Sequence, residues 1–330
     1  MVLLVLAVFL VGLLLPAGAE TIEVRVGVAP TMSSAGLYLA ADKGYFQAEG
    51  LKVRLIPFRS SGPEMLPLLA TDKLEVGGGN LGASFYNALG RGIKLRAVAD
   101  KGSNSPGCGY LSLVVRPGLE VRSPQDLKGR TVAFTGKGVS QEVVADRFLR
   151  TGGLGIGDLR IVTMPYADTN MAMARGSLDA TVQIEPLLTE ALSKGWAREV
   201  RAASQIYPYQ QSAAILYSET FSLNTGAARR FMRAYLRGVR DYHRAFVQKR
   251  DPGPEIAIMT KHVPVKDKAL YTRMRPVGLN QDGYLNARSM ADDLKWYQAH
   301  GYVQKCPPLS DIVDHSFARW AAQQLGPRTR

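Results

Sequence analysis

Apolar and polar residues alternate over 22–28, as expected of a strand with one buried face. A second such segment, Leu51-Lys52-Val53-Arg54-Leu55-Ile56-Pro57-Phe58, ends on a proline and an aromatic ring. The same phrase returns as Leu159-Arg160-Ile161-Val162-Thr163-Met164-Pro165-Tyr166. Each copy is followed by a short helical stretch and then by a matched strand opening, Leu74-Glu75-Val76 and Leu178-Asp179-Ala180. The chain therefore writes one strand–turn–helix–strand unit twice. Strands alternating with helices predict parallel sheets, with ligands beyond the carboxyl ends of the strands. Two such units in one chain predict two lobes facing each other across a cleft.

The remaining pattern fills in the elements. Ser33 or Ser34 is placed to cap a helix running through Leu37, Ala40 and Ala41 toward Phe46. Ser60-Ser61-Gly62-Pro63 opens the next helix, which Pro67 should shorten or kink. Val76-Gly77-Gly78-Gly79-Asn80 reads as a turn after the third strand, tight or built for close backbone approach, and a helix through Phe85 and Leu89 follows. A fourth strand is expected over 95–99, a polar glycine-containing linker over 101–109, and a strand again over 110–115. In the second unit a strand over 131–134 leads into Thr135-Gly136-Lys137-Gly138-Val139-Ser140, the start of a helix reaching Leu149. Free backbone N–H groups at such a start favour an anion. Asp168 reads as a helix N-cap, and Glu185-Pro186 precedes a further helix with Gly195 past its end. Tyr207-Pro208-Tyr209 leads to an apolar run over 213–217 that returns to the first lobe. The chain thus crosses between lobes twice, near 104–110 and 207–214, which makes a hinge.

Length supports two domains, since 330 residues exceed what one core usually fills. The 46% hydrophobic and 21% charged fractions are those of a globular protein. Residues 2–15 are almost unbroken apolar sequence, and Ala17-Gly18-Ala19 supplies the small-x-small pattern of a signal peptidase site. We expect cleavage after Ala19 and export to the periplasm, although no Lys or Arg precedes the apolar core and an uncleaved anchor stays open. Cys108 and Cys306, the two cysteines, are expected to be unpaired thiols. No CxxC, His-x-x-x-His, GxGxxG or P-loop is present, so neither a metal nor a cofactor is expected.

The formal charge of +13 does not imply nucleic acid in an exported chain. Between Gly226 and Arg250 eight basic residues face one acid, Asp241, while Phe231, Tyr235, Leu236, Val239, Tyr242 and Phe246 recur at helical spacing. This reads as an amphipathic helix with a solvated arginine face, able at most to steer an anionic solute. His243, His262, His300 and His315 fall outside the predicted second lobe and every candidate loop, which disfavours acid–base catalysis.

Taken in order, several segments resemble the nitrate/sulfonate/taurine group of ABC-transporter solute-binding proteins. They are Ala35-Gly36-Leu37-Tyr38-Leu39-Ala40, Lys43-Gly44-Tyr45-Phe46, Gly50-Leu51, Asp126-Leu127-Lys128-Gly129, Gly176-Ser177-Leu178-Asp179-Ala180, Glu185-Pro186 and Val313-Asp314-His315-Ser316-Phe317 before Leu325-Gly326. The resemblance implies an α/β fold of the type II periplasmic-binding-protein kind, two βαβ lobes joined by a double-crossing hinge. In this frame 1–19 is the signal peptide, 20–106 the first part of lobe 1, 107–210 lobe 2, and 211–330 the completion of lobe 1 with the C-terminal helices. It implies a monomeric receptor that closes on a small-molecule solute and docks on an ABC permease in the inner membrane with its ATPase. The same superfamily holds pyrimidine synthases and a cysteine-dependent desulfinase; this chain lacks the cysteine-rich motif of the former and a cysteine in the first strand–helix loop.

Within that frame the site is expected at loop ends. The first lobe offers Ser33, Ser34, Ser60, Ser61, Gly79 and Asn80; the second offers Lys137, Gly138, Ser140, Tyr166, Asp168, Gln183 and Glu185, with Tyr110 and Tyr207 near the hinge. Hydroxyls and helix-start amides suit an oxyanion. Glu185 is discordant, for a carboxylate repels an anion and suits an amine. A small organic anion, sulfonate or carboxylate, is the preferred solute. A nitrogen heterocycle such as a thiamine-precursor pyrimidine, or a hydrolase or lyase on the same scaffold, stays open.

Overall fold

The computed structural model describes residues 21–59 and 62–328. The signal-peptide reading, Ser60 and Ser61 therefore lie outside the described residues. Among the described residues ten strands form two five-stranded sheets. They are β1 (Ile22–Val28), β2 (Leu51–Pro57), β3 (Val76–Asn80), β4 (Leu95–Ser103), β5 (Leu111–Val115), β6 (Thr131–Phe134), β7 (Arg160–Thr163), β8 (Ala180–Ile184), β9 (Arg198–Ala202) and β10 (Gln211–Ser218).

The order in one sheet is β2-β1-β3-β10-β4 and in the other β7-β6-β8-β5-β9. The repeated phrase is thus a repeated position: β2 and β7 flank β1 and β6, and β3 and β8 lie on their other side, all parallel. The sheets are mixed rather than parallel, which corrects the sequence reading. β10 runs antiparallel to β3 and β4, and β5 runs antiparallel to β8 and β9. β5 and β10 are the strands by which the chain enters each sheet from the opposite lobe, and that entry reverses their direction. The crossings occupy 104–110 and 203–210, and Gln211 already belongs to the first lobe's sheet.

Two other sequence readings change. Val76–Asn80 is the third strand itself, not a turn after it. The fourth strand runs to Ser103, through residues expected in a linker. Pro67 starts the helix Leu66–Ala70 after a 3-10 turn over Pro63–Met65, a first-turn position where its missing N–H costs nothing.

The long helix Thr225–Tyr242 buries Phe231, Met232, Tyr235, Leu236 and Val239 against the first helix, Ala35–Asp42, and the last, Ser316–Leu325. Its polar face is not simply solvated. Arg233 pairs with Glu49 and Arg240 with Asp282, and from the turn just past the helix Arg244 pairs with Asp241 and Glu255. These arginines tie the helix to its own lobe, leaving Arg229 exposed beside Trp320. Cys108 and Cys306 are free and half-buried.

Candidate functional site

The lobes meet along a seam at the carboxyl ends of β1 and β3. Met32 N–H points at the Glu185 carbonyl (3.5 Å), Ala83 N–H donates to the Gly138 carbonyl (2.7 Å), and Asn80 Nδ2 donates to Ser140 Oγ (3.0 Å). Gly138 takes a positive φ of 64° to deliver that carbonyl, a conformation glycine adopts without strain. A polar cluster at the hinge supports the seam, where Gln210 Nε2 reaches Asp293 (3.0 Å) and the Arg147 guanidinium lies 3.4 Å over the Tyr207 ring. Burial holds the Asp293 carboxyl up at about 7. Farther out, Trp296 Nε1 of the first lobe donates to Asp146 of the second (2.7 Å).

The central feature of the seam is a lysine that the linker reading passed over. β4 pairs with β10 so that Ala213 faces Gly102 and Ala214 faces Asp100. Lys101 is the extra residue of a bulge, and bulges re-aim side chains. Asp100 turns one way: its carboxylate accepts from Gly102 N (2.8 Å), Gln211 Nε2 (2.6 Å) and Asn280 N (2.7 Å). Lys101 turns the other. Its stem crosses Gly78, where a Cβ would lie 2.5 Å from Lys101 Cε, and its ammonium donates to Ser33 Oγ at 2.9 Å. The side chain is fully buried, and among the described residues no carboxylate reaches ion-pair distance. Burial pulls its pKa down to about 7, with Asp100 opposing the shift.

Around this ammonium the structure gathers several expected residues. Ser33 Oγ also contacts Thr31 Oγ1 (2.9 Å), a residue not singled out beforehand. The Tyr110 hydroxyl pairs with Ser212 Oγ and lies where a Gly102 Cβ would be, 2.7 Å away. Burial raises the Tyr110 and Tyr166 hydroxyls well above the ordinary tyrosine range.

Other expected residues serve the lobes themselves. Ser34 Oγ donates to Ala29 O (2.8 Å) and makes no cap, so the capping role is corrected. Gly79 lies in β3 facing Leu216. Gln183 is fully buried, its amide spent on Thr169 Oγ1, Asn170 Oδ1 and the Tyr166 carbonyl. Lys137 and Asp168 are exposed, and Asp168 lies in the first turn of Tyr166–Ala174 rather than at its cap, which is Pro165. Tyr207 sits in the second crossing and its hydroxyl reaches the Ser289 carbonyl (3.4 Å).

Glu185 accounts for its own discordance. Its oxygens accept from Thr189 N (3.0 Å), Thr189 Oγ1 (2.8 Å) and Arg275 N (3.3 Å). Burial dominates these bonds and raises the carboxyl to about 7. Arg275, from the first lobe's C-terminal segment, also pairs with Glu199 of the second. We therefore expect Glu185→Gln, which sets an amide donor against the Thr189 N–H, to lower stability by about 1–3 kcal/mol. It should not reverse the solute's charge preference, and Lys137→Ala should leave affinity within about a factor of three, as a solvated lysine is worth little. Denaturant melts and calorimetry on both variants check this; a switch to amine binding in either would contradict the placement.

The two-lobed fold is shared by known proteins. A family model described as NMT1/THI5 like matches residues 31–245. A Bacillus subtilis (strain 168) protein, named provisionally as an aliphatic sulfonates-binding protein, is 24% identical over 313 residues, 92% of this chain and 89% of its own. The alkanesulfonate-binding protein SsuA of Xanthomonas axonopodis pv. citri, solved with MOPS, superposes with a TM-score of 0.72 at 19% identity, covering 90% of this chain and all (100%) of its own. The nitrate-binding protein NrtA of Synechocystis PCC 6803 gives 0.73 at 14% identity, over 93% of this chain and 89% of its own.

Proposed function

The chain belongs to the NMT1/THI5-like family, and from that membership we propose that it is the exported solute receptor of an ABC importer. It closes two lobes on a small organic anion of the sulfonate or carboxylate type and delivers it to the permease. The observation that carries the choice of anion is the Lys101 ammonium, buried at the seam with Ser33 Oγ as its hydrogen-bond partner among the described residues. A buried charge without a counter-ion is costly, and a solute that supplies one recovers that cost. The sulfonate and nitrate binders among its relatives support the same choice.

The test is calorimetry and thermal melting with short alkanesulfonates, alkanoates and the matching alkylamines. A bound solute at a hundred times its dissociation constant adds about 2.7 kcal/mol to stability. At about 2–4 °C per kcal/mol, or somewhat less for a chain this long, the anions should raise Tm by several degrees. Small-angle scattering should show the particle contract as the lobes close. Binding of amines or pyrimidines with none of the anions would reject the reading.

One observation favours an enzymatic reading. A serine hydroxyl 2.9 Å from a lysine nitrogen of lowered pKa is the geometry of a Ser–Lys nucleophile. Turnover of activated esters that disappears in Ser33→Ala would support it; absence of turnover in the wild type leaves the receptor.

A further inference from the structure

We infer that this protein captures its anion together with a proton, which Lys101 takes up. The inference rests on the receptor reading above and adds a proton-linked step to it.

The geometry isolates Lys101 in an uncommon way. Its four-carbon stem lies over Gly78, and its nitrogen stands at Ser33 Oγ, a partner as able to donate to a neutral amine as to accept from an ammonium. The groups that face it from each packed element are few. On its own strand Asp100 is adjacent, but its carboxylate is engaged on the opposite side by Gln211 and the main chain of Gly102 and Asn280. β3 contributes glycine at the contact, and the segment before the first helix contributes the hydroxyls of Thr31 and Ser33. The hinge contributes the Tyr110 hydroxyl, which stays protonated. Across the seam Glu185 is the titrating group, with its oxygens held by Thr189 and Arg275. Among the described residues no carboxylate pairs with the ammonium, and burial, opposed only by the nearby charge of Asp100, lowers its proton affinity to about 7.

An anion seated at Lys101 supplies the missing countercharge and raises the lysine pKa. Below the free-state value the lysine is already charged and affinity does not depend on pH. Above it, each solute must bring a proton, and affinity should fall about tenfold per pH unit until the bound-state pKa is reached. Glu185 keeps its carboxyl on Thr189 and Arg275 and takes no part in this linkage.

Two measurements on the mature protein decide the matter. In the ligand-free protein, lysine labelled at Cε and Nζ, with Lys101 assigned by its loss in Lys101→Arg, should titrate by NMR with a midpoint near 7. A midpoint above about 9.5, in the ordinary lysine range, overturns the inference with or without a known solute. The second measurement is butanesulfonate calorimetry at pH 8 in two buffers of different ionisation enthalpy. It should give close to one proton taken up per solute bound in the wild type and in Glu185→Gln, and none in Lys101→Arg. Binding with no proton uptake overturns the inference and leaves the receptor standing. Should neither sulfonates nor carboxylates bind, the receptor reading falls, and the NMR midpoint still decides whether Lys101 is a neutral amine near pH 8.

Discussion

Replacing Lys101 with methionine is expected to make the ligand-free protein more stable while weakening anion binding by roughly 10- to 150-fold, the value of a charge-assisted hydrogen bond. The two effects share one cause. A buried ammonium without a counter-ion loses its hydration, and among the described residues it gains one hydroxyl partner, Ser33. Methionine has nearly the same reach and flexibility, fits over Gly78, and needs no counter-ion. The sign with pH follows from the lowered pKa: the lysine costs stability once the unfolded chain is charged, below about 10.5, and the full cost is reached below about 7. The gain in Lys101→Met should therefore be largest at pH 7 and below, on the order of 1–4 kcal/mol by analogy with other buried charges replaced by apolar residues. It should shrink as pH rises toward 10. Denaturant melts at pH 6, 8 and 9.5, run beside calorimetry with an alkanesulfonate, read both effects. A variant that is less stable at every pH would show that the ammonium has stabilising partners the structure does not contain.

Much of this architecture is legible in the residue pattern because it is local and repeated. The phrase 51–58 and its copy over 159–166 mark β2 and β7, equivalent positions in the two sheets. The crossings show because polar, proline-containing chain interrupts apolar runs at the points where the chain leaves one core for the other. The direction of β5 and β10 is not legible, since an apolar strand reads the same whether its neighbours run with it or against it.

The site was harder for a related reason. Three consecutive glycines have low strand propensity, so Val76–Asn80 reads as a turn. The structure needs them because Leu69, Lys101 and Leu216 occupy the space that side chains at 77, 78 and 79 would fill. Lys101 looks like linker because its neighbours are Asp100 and Gly102, and only the bulge against β10 turns it into the seam. Ser33 and Tyr110 lie near the Lys101 ammonium because the first strand–helix loop and the hinge both reach the seam. Lys137 and Asp168 are also at loop ends, yet their side chains are exposed, and position along the chain does not report which way a side chain turns.

The second large effect is expected far from the solute, at Gly238. Here Thr225–Tyr242 crosses Ala35–Asp42 so closely that a Cβ on Gly238 would fall inside the van der Waals shell of the Gly36 carbonyl oxygen and 3.0 Å from Ala40 N. On the facing helix, a Cβ at Gly36 would meet Val239 Cγ2 at 2.7 Å and Tyr235 Cε2 at 2.8 Å. Alanine in a helix interior is normally favoured over glycine by about 1 kcal/mol. At Gly238 the obstacle is backbone, which cannot turn aside as a side-chain tip can, so the helices must separate and lose packing along their whole contact. Overpacking costs about 1–3 kcal/mol and occasionally more, and a backbone clash belongs at the upper end. We expect Gly238→Ala to cost about 2 kcal/mol net of propensity, a fall in Tm of roughly 4–8 °C at about 2–4 °C per kcal/mol. Gly226→Ala, in the same helix but with open space around it, should be neutral or slightly stabilising. The helix displaced in Gly238→Ala is the one that begins just after Ser33, so anion affinity should fall as well, although no residue at the seam has changed. Equal melting temperatures for the two variants would show that the crossing relaxes without loss and that the glycines are not what sets the spacing of this lobe.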